Sequence, residues 1–180
     1  MNFSHDVNSH ACNYFIQNIK FYTVKKIFSI IAILAILFVQ KSFAQDNQPS
    51  SQLLTFYYGI KEALIAGDAN AASTSASKFL DALGSAENKV IAQDKITALQ
   101  KDAGAIEQMK DIKHQREHFA DLSAIMLDLV KSSKLSTQPV YALYCPMKKS
   151  YWLSNDKTVK NPYFGSAMLS CGSVKETINQ

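Results

Sequence analysis

The sequence predicts an all-α fold: an up-and-down four-helix bundle with an irregular Cys/Pro/aromatic-rich C-terminal flap packed on it. Three observations point there. Apolar residues recur at three- and four-residue spacings through four successive segments between residues 51 and 132. The joins between those segments are short, as antiparallel helical neighbours require. After Val140 the composition turns abruptly to proline, glycine, cysteine and aromatics.

Residues 1–44 carry a secretion pattern rather than a fold. Lys25 and Lys26 form a basic start, Ile27 to Val39 is an uncharged apolar run, and Ser42-Phe43-Ala44 offers the small residues a signal peptidase reads. Cleavage is expected after Ala44, leaving a periplasmic chain with no membrane insertion, because the apolar run is shorter than the ~20 residues of a membrane span. Residues 1–23 are unlike a leader's basic start, and Val24 is a candidate translation start. Residues 45–50, with Pro49, read as a linker, and a single domain is expected over 51–178.

The first helix, about 51–66, aligns Leu53, Leu54, Tyr57, Ile60 and Leu64, with Gly67 as its stop and Asp68 as cap of the next. The second, about 69–83, is alanine-rich and sets Ala72, Ala76, Phe79, Leu80 and Leu83 on one face, before a break at Gly84-Ser85. A third spans about 88–109 through Ile91, Ile96, Leu99 and Ile106, weakened at Gly104. The fourth, about 111–132, has the clearest stripe: Ile112, Phe119, Leu122, Met126 and Leu129. The flap, 140–178, holds Pro146, Pro162, Trp152, Phe164 and four tyrosines. Within it, Asn161-Pro162-Tyr163-Phe164-Gly165 has the make-up of a tight turn, with Asn161 bonding nearby backbone.

Charge excludes some functions. The leader holds four of the 19 basic and one of the 15 acidic residues, so the remaining chain is nearly neutral. Arg116 is its one arginine and no basic cluster occurs, which speaks against a nucleic-acid partner. There is no nucleophile elbow, phosphate loop or dinucleotide fingerprint, and a non-enzyme is expected.

Of three cysteines, Cys12 lies in the leader, leaving Cys145 and Cys171. In an oxidising compartment such a pair suggests a disulfide. The same sulfurs with Met147 and Met168 make a Cys2Met2 set of soft donors suited to Cu(I). Pro146 is expected to hold the chain extended, with residues 145 and 147 leaving one face. His114 and His118, at i and i+4, are weaker candidate ligands for copper or zinc, with Asp111 and Asp121 as neighbouring carboxylates; otherwise they belong to a solvated polar face.

The strings CPM (145–147), YWLS (151–154), NPYFG (161–165), ML-CG (168–172) and VKETI (174–178), after HQREHFADLS (114–123), resemble an exported helical-bundle family of unknown function. Members of that family also occur fused to periplasmic adaptor subunits of heavy-metal and copper efflux systems. The resemblance covers roughly 51–178. It implies a bundle closed by the CPM-to-CG flap, a link to copper or related metals, and an adaptor or other efflux component as partner. Cys145, Met147, Trp152, Asn161, Pro162, Tyr163, Gly165, Met168, Cys171 and Gly172 match its pattern, as do Gln115, Arg116 and Phe119. CPM also resembles short heavy-metal-binding segments in which His-Pro follows the methionine; here Lys148-Lys149 follow, placing positive charge beside the sulfurs. Arg116, with its planar fork of donors, is expected to tie the flap to the helices through carbonyls or Asn161.

Overall fold

Among the described residues, four helices form where the apolar periodicity places them: α1 (Pro49–Ala66), α2 (Ala69–Ala86), α3 (Gln93–Gln108) and α4 (Ile112–Ser132). The structure, a computed structural model, describes residues 49–86, 91–133 and 135–179. The leader, its cleavage point and most of the linker lie outside the described residues, as does the expected start of the third helix. Among the described residues no helix is long and apolar enough to cross a membrane.

The helix ends follow local chemistry. Gly67, at φ 76°, turns the chain out of α1, and Asp68 N–H reaches back to Ala63 O at 2.9 Å. Asp68 Oδ1 then accepts from the N–H groups of Asn70 and Ala71, capping α2. Asp111 caps α4 in the same way, accepting from Lys113 and His114 at 2.8 and 3.0 Å. Two expected weak points do not break helices. α2 runs through Gly84-Ser85 to Ala86, and α3 runs through Gly104. Neither position needs a left-handed backbone, and helix contacts outweigh the ~1 kcal/mol propensity cost of one glycine.

Each helix packs chiefly on the next in chain order, and the buried stripes meet in one core. Leu53, Tyr57, Ile60 and Leu64 face Ala72, Ala76, Phe79 and Leu83, then Ile96, Leu99 and Ile106, then Phe119, Leu122, Met126 and Leu129.

The all-α expectation is corrected after residue 139. The C-terminal segment is a small antiparallel sheet, β1 (Val140–Cys145), β2 (Ser150–Ser154) and β3 (Ser173–Ile178), in the order β2-β1-β3. A single 3-10 turn, Gly165–Met168, lies between β2 and β3. The run VYALYC, bounded by Pro139 and Pro146, is rich in strand formers. As the central strand it is largely buried and lacks clean alternation, which masked the period of two. A bulge at Lys175 shifts the β1–β3 register between Ala142↔Glu176 and Leu143↔Val174. β2 packs on α4 and the 3-10 turn on α1, so the flap does cover the helices, as an ordered sheet.

An aromatic row joins the two parts. Tyr57 stacks on Phe119 at 5.0 Å between ring centroids, Phe119 meets Tyr163 at 6.1 Å, and Tyr163 meets Trp152 edge-on at 6.0 Å. Tyr57 Oη lies 2.7 Å from Ser123 Oγ and accepts the Leu153 N–H at 3.0 Å, linking α1, α4 and β2.

Candidate functional site

The two cysteines meet at the open end of the sheet. Cys145 closes β1 and is fully buried; Cys171 follows the 3-10 turn and is half-buried; both are thiols in the structure. The two residues adjoin, since one side-chain amide, that of Asn161, reaches both Cys145 Sγ and Cys171 O. Partial burial, then the neighbouring Cys145, push the Cys171 thiol up.

Three N–H donors converge on this pair. Asn161 Nδ2 donates to Cys145 Sγ at 3.1 Å and Lys148 N–H to the same sulfur at 3.4 Å, while Met147 N–H faces Cys171 Sγ. The two backbone donors come from the turn at residues 146–149, whose tight path includes Lys149 at φ 56°. Such donors stabilise negative charge on sulfur, whether thiolate or metal-bound.

Asn161 holds the arrangement. Wholly buried, it donates Nδ2 also to Cys171 O at 2.6 Å, and its Oδ1 accepts from Tyr163 N–H at 2.8 Å. Its backbone N–H donates to Leu169 O and its carbonyl accepts from Gly165 N–H. The predicted NPYFG turn is thus present, and its asparagine also spans both cysteine segments.

The methionines are placed differently. Residues 146–149 turn instead of continuing extended, so Cys145 is buried while Met147 is 64% exposed; the expected common face for 145 and 147 is not formed. The cause is the reversal into β2, which pairs Ser150 back with Cys145. Met168 ends the 3-10 turn half-buried, its carbonyl accepting the Cys171 N–H at 3.1 Å. The geometry therefore brings together Cys145 and Cys171, and leaves Met147 outside.

Two glycines are required by this packing. Gly172, at φ 142°, puts its α-carbon against Trp152, where a Cβ would lie 2.6 Å from Cη2 and 3.0 Å from Tyr144 O. Gly165, at φ 55°, abuts the Arg116 guanidinium. Arg116 Nη2 donates to Leu64 O at 2.8 Å, so its carbonyl partner is the end of α1, and its contact with the flap is Gly165 instead of Asn161. Gln115 Nε2 similarly serves Ala69 O, Ile106 O and Met109 O near helix ends.

The histidines diverge. His114 Nδ1 sits 3.4 Å from the capping Asp111, with both side chains about 60% exposed. His118 Nδ1 sits 3.1 Å from Asp102 Oδ1, and Asp121 lies close enough for the three residues' donor atoms to fall within 4.8 Å of one another. Asp102 was not legible as a functional residue, although one signal was available: a carboxylate three residues past Leu99, on the buried stripe of α3. Asn161's bond to sulfur had no sequence signal, because it depends on β1 and the NPYFG turn meeting in space.

Residues 53–138 match the model of a family described as protein of unknown function, DUF3347. That span covers the helical part of the fold and stops before β1. No curated protein and no solved structure matches the chain.

Proposed function

We propose that this is an exported metal-handling accessory protein whose Cys145 and Cys171 thiols take up Cu(I), acting in the periplasm beside an efflux or homeostasis system. The observation that carries the reading is the paired thiols with three N–H donors aimed at their sulfurs. Cu(I) is soft and accepts two thiolates in a near-linear arrangement, so two sulfurs on facing segments suffice. Uptake replaces two S–H protons by one cuprous ion and leaves a complex of net charge −1. Lys148 and Lys149 flank the turn, where their positive charge favours such an anion even though it opposes a free cation. Met147, exposed beside the pair, offers a thioether for exchange with a partner, and Met168 a second; the dithiol is the core of the proposed set. The efflux association rests on the resemblance of the CPM-to-CG string.

A second reading is favoured by the same proximity. Two-electron oxidation by an exported thiol oxidase would join the sulfurs and lose two protons, giving a disulfide-stapled interaction module that docks to a partner protein.

Titration of the reduced chain with Cu(I) against a competing chelator tests the first reading. One Cu(I) per chain is expected, lost in the Cys145→Ser/Cys171→Ser variant; equal affinity in the two proteins overturns it. Intact mass with alkylation of freshly exported protein separates the readings, since a fully formed disulfide supports the module and free thiols with bound copper support the metal site.

A further inference from the structure

We infer that Asp102, His118 and Asp121 form a second metal site, clamped between α3 and α4, for a borderline divalent cation of the Zn2+ kind. It is independent of the dithiol. The donor set is one imidazole nitrogen and two carboxylates, which suits Zn2+ and disfavours Cu(I), so the two sites differ in softness.

The placement follows from helix geometry. His118 and Asp121 stand at i and i+3 on one face of α4, and Asp102 approaches from the adjacent helix α3. A tetrahedral ion with N and O ligands at about 2.0–2.2 Å holds its donors roughly 3.3 Å apart. His118 Nδ1 and Asp102 Oδ1 are already 3.1 Å apart, close to one edge of that tetrahedron. Asp121 completes the set within 4.8 Å, and its exposed side chain is free to swing inward by the remaining distance.

Burial supplies the independent reason for a cation. The Asp102 side chain is 6% exposed, yet among the described residues no lysine or arginine pairs with it; the imidazole of His118 is its partner. A carboxylate taken out of water needs compensating positive charge, and one imidazole hydrogen bond fills only part of its acceptor capacity. A divalent ion would take both carboxylates and the imidazole nitrogen together. The His118 side chain is 27% exposed and Asp121 is on the surface, so the mouth is open to ion entry and to a water as fourth ligand. His114 plays no part: its Nδ1 faces Asp111 at the helix cap.

The test is Zn2+ binding to the metal-free chain by competition with a chromogenic chelator. Measurements use the native cysteines and, separately, the Cys145→Ser/Cys171→Ser background. One Zn2+ per chain is expected to persist without the thiols, with affinity lowered at least about tenfold by Asp121→Asn and by His118→Gln, and unchanged by His114→Ala. Asp121 is a surface residue, so Asp121→Asn preserves the fold, which a thermal melt checks; added Zn2+ should raise the parent's midpoint and not the variant's. If the serine background fails to fold, loss of one equivalent of Zn2+ from Asp121→Asn with both cysteines present carries the same information. The inference is overturned by absence of saturable binding outside the thiols, by Asp121→Asn binding as the parent does, or by equal loss in His114→Ala. Each of those results reduces the cluster to an interhelical His–Asp hydrogen bond.

Discussion

Asn161 donates its side-chain amide to both cysteine segments at once, to Cys145 Sγ at 3.1 Å and to Cys171 O at 2.6 Å. The residue is wholly buried, and its Oδ1 fixes the turn that follows through Tyr163 N–H. The spacing of the two thiols is therefore set by an asparagine that ligates nothing itself.

Asn161→Ala should lower stability by roughly 2–4 kcal/mol, since it strands a buried carbonyl and a buried N–H, each costing about 1–3 kcal/mol. Asn161→Asp keeps the acceptor for Tyr163 but puts a carboxylate against the sulfurs. It should slow alkylation of the thiols at fixed pH, because nearby negative charge opposes the thiolate. Chemical denaturation and timed iodoacetamide labelling check the two. Wild-type labelling rates in Asn161→Asp would remove Asn161 from the thiol environment.

Gly172→Ala meets the Trp152 ring directly, and the φ of 142° is unsuited to any Cβ. A cost of about 2–4 kcal/mol is expected, because the neighbours are a ring locked in the core and the Tyr144 carbonyl. Trp152 is the one tryptophan in the chain, so its emission reports the site alone. A red shift with a lowered unfolding midpoint is the expected result; unchanged emission and midpoint would show that the sheet yields at no cost.

The helical half was legible because it obeys one period. Leu53, Tyr57, Ile60 and Leu64 lie where a 3.6-residue repeat puts them, and Gly67 and Asp68 act as the stop and cap expected of them. The C-terminal half reads as irregular because its central strand has buried residues on both faces, Val140 and Ala142 on one and Leu143 and Cys145 on the other, which erases alternation. The candidate site divides similarly. Cys145, Cys171 and Asn161 stand out by residue type, and the structure brings them together. That Met147 would point away depended on a turn after Pro146, which φ restriction permits as readily as an extended path. His118's partner Asp102 lies on another helix, 16 positions back, out of reach of any local spacing rule.

Alkaline pH should unfold the protein through its buried phenols. Burial pushes the Tyr57, Tyr58 and Tyr163 hydroxyls well above their ordinary value. A folded-state pKa above the unfolded one, near 10, gives stability that is fully present below about pH 10 and lost as pH rises beyond it, because the unfolded chain releases those protons first. The urea midpoint should therefore be level up to about pH 9.5 and fall above pH 10. Tyr57→Phe should flatten that fall while costing about 1–3 kcal/mol at neutral pH, through the orphaned Leu153 N–H and Ser123 hydroxyl. A midpoint unchanged between about pH 10 and pH 11 contradicts the burial of these phenols.

Arg116 joins the end of α1 to the flap, and its removal should loosen one without dissolving the other. Its Nη2 satisfies Leu64 O, a carbonyl in the last turn of α1, where positive charge also favours the helix dipole. Gly165 packs against the same guanidinium, so Arg116→Ala opens a gap under the 3-10 turn as well as freeing the carbonyl. A loss of about 2–3 kcal/mol is expected, with faster amide hydrogen exchange at residues 165–168 than in α2 or α3. Arg116→Lys restores charge but not the planar fork that both bonds Leu64 O and abuts Gly165, and should recover less than half of the loss. Uniformly faster exchange across all helices would instead make Arg116 a general stabiliser, and an unchanged midpoint in Arg116→Ala would remove it as the tie between bundle and flap.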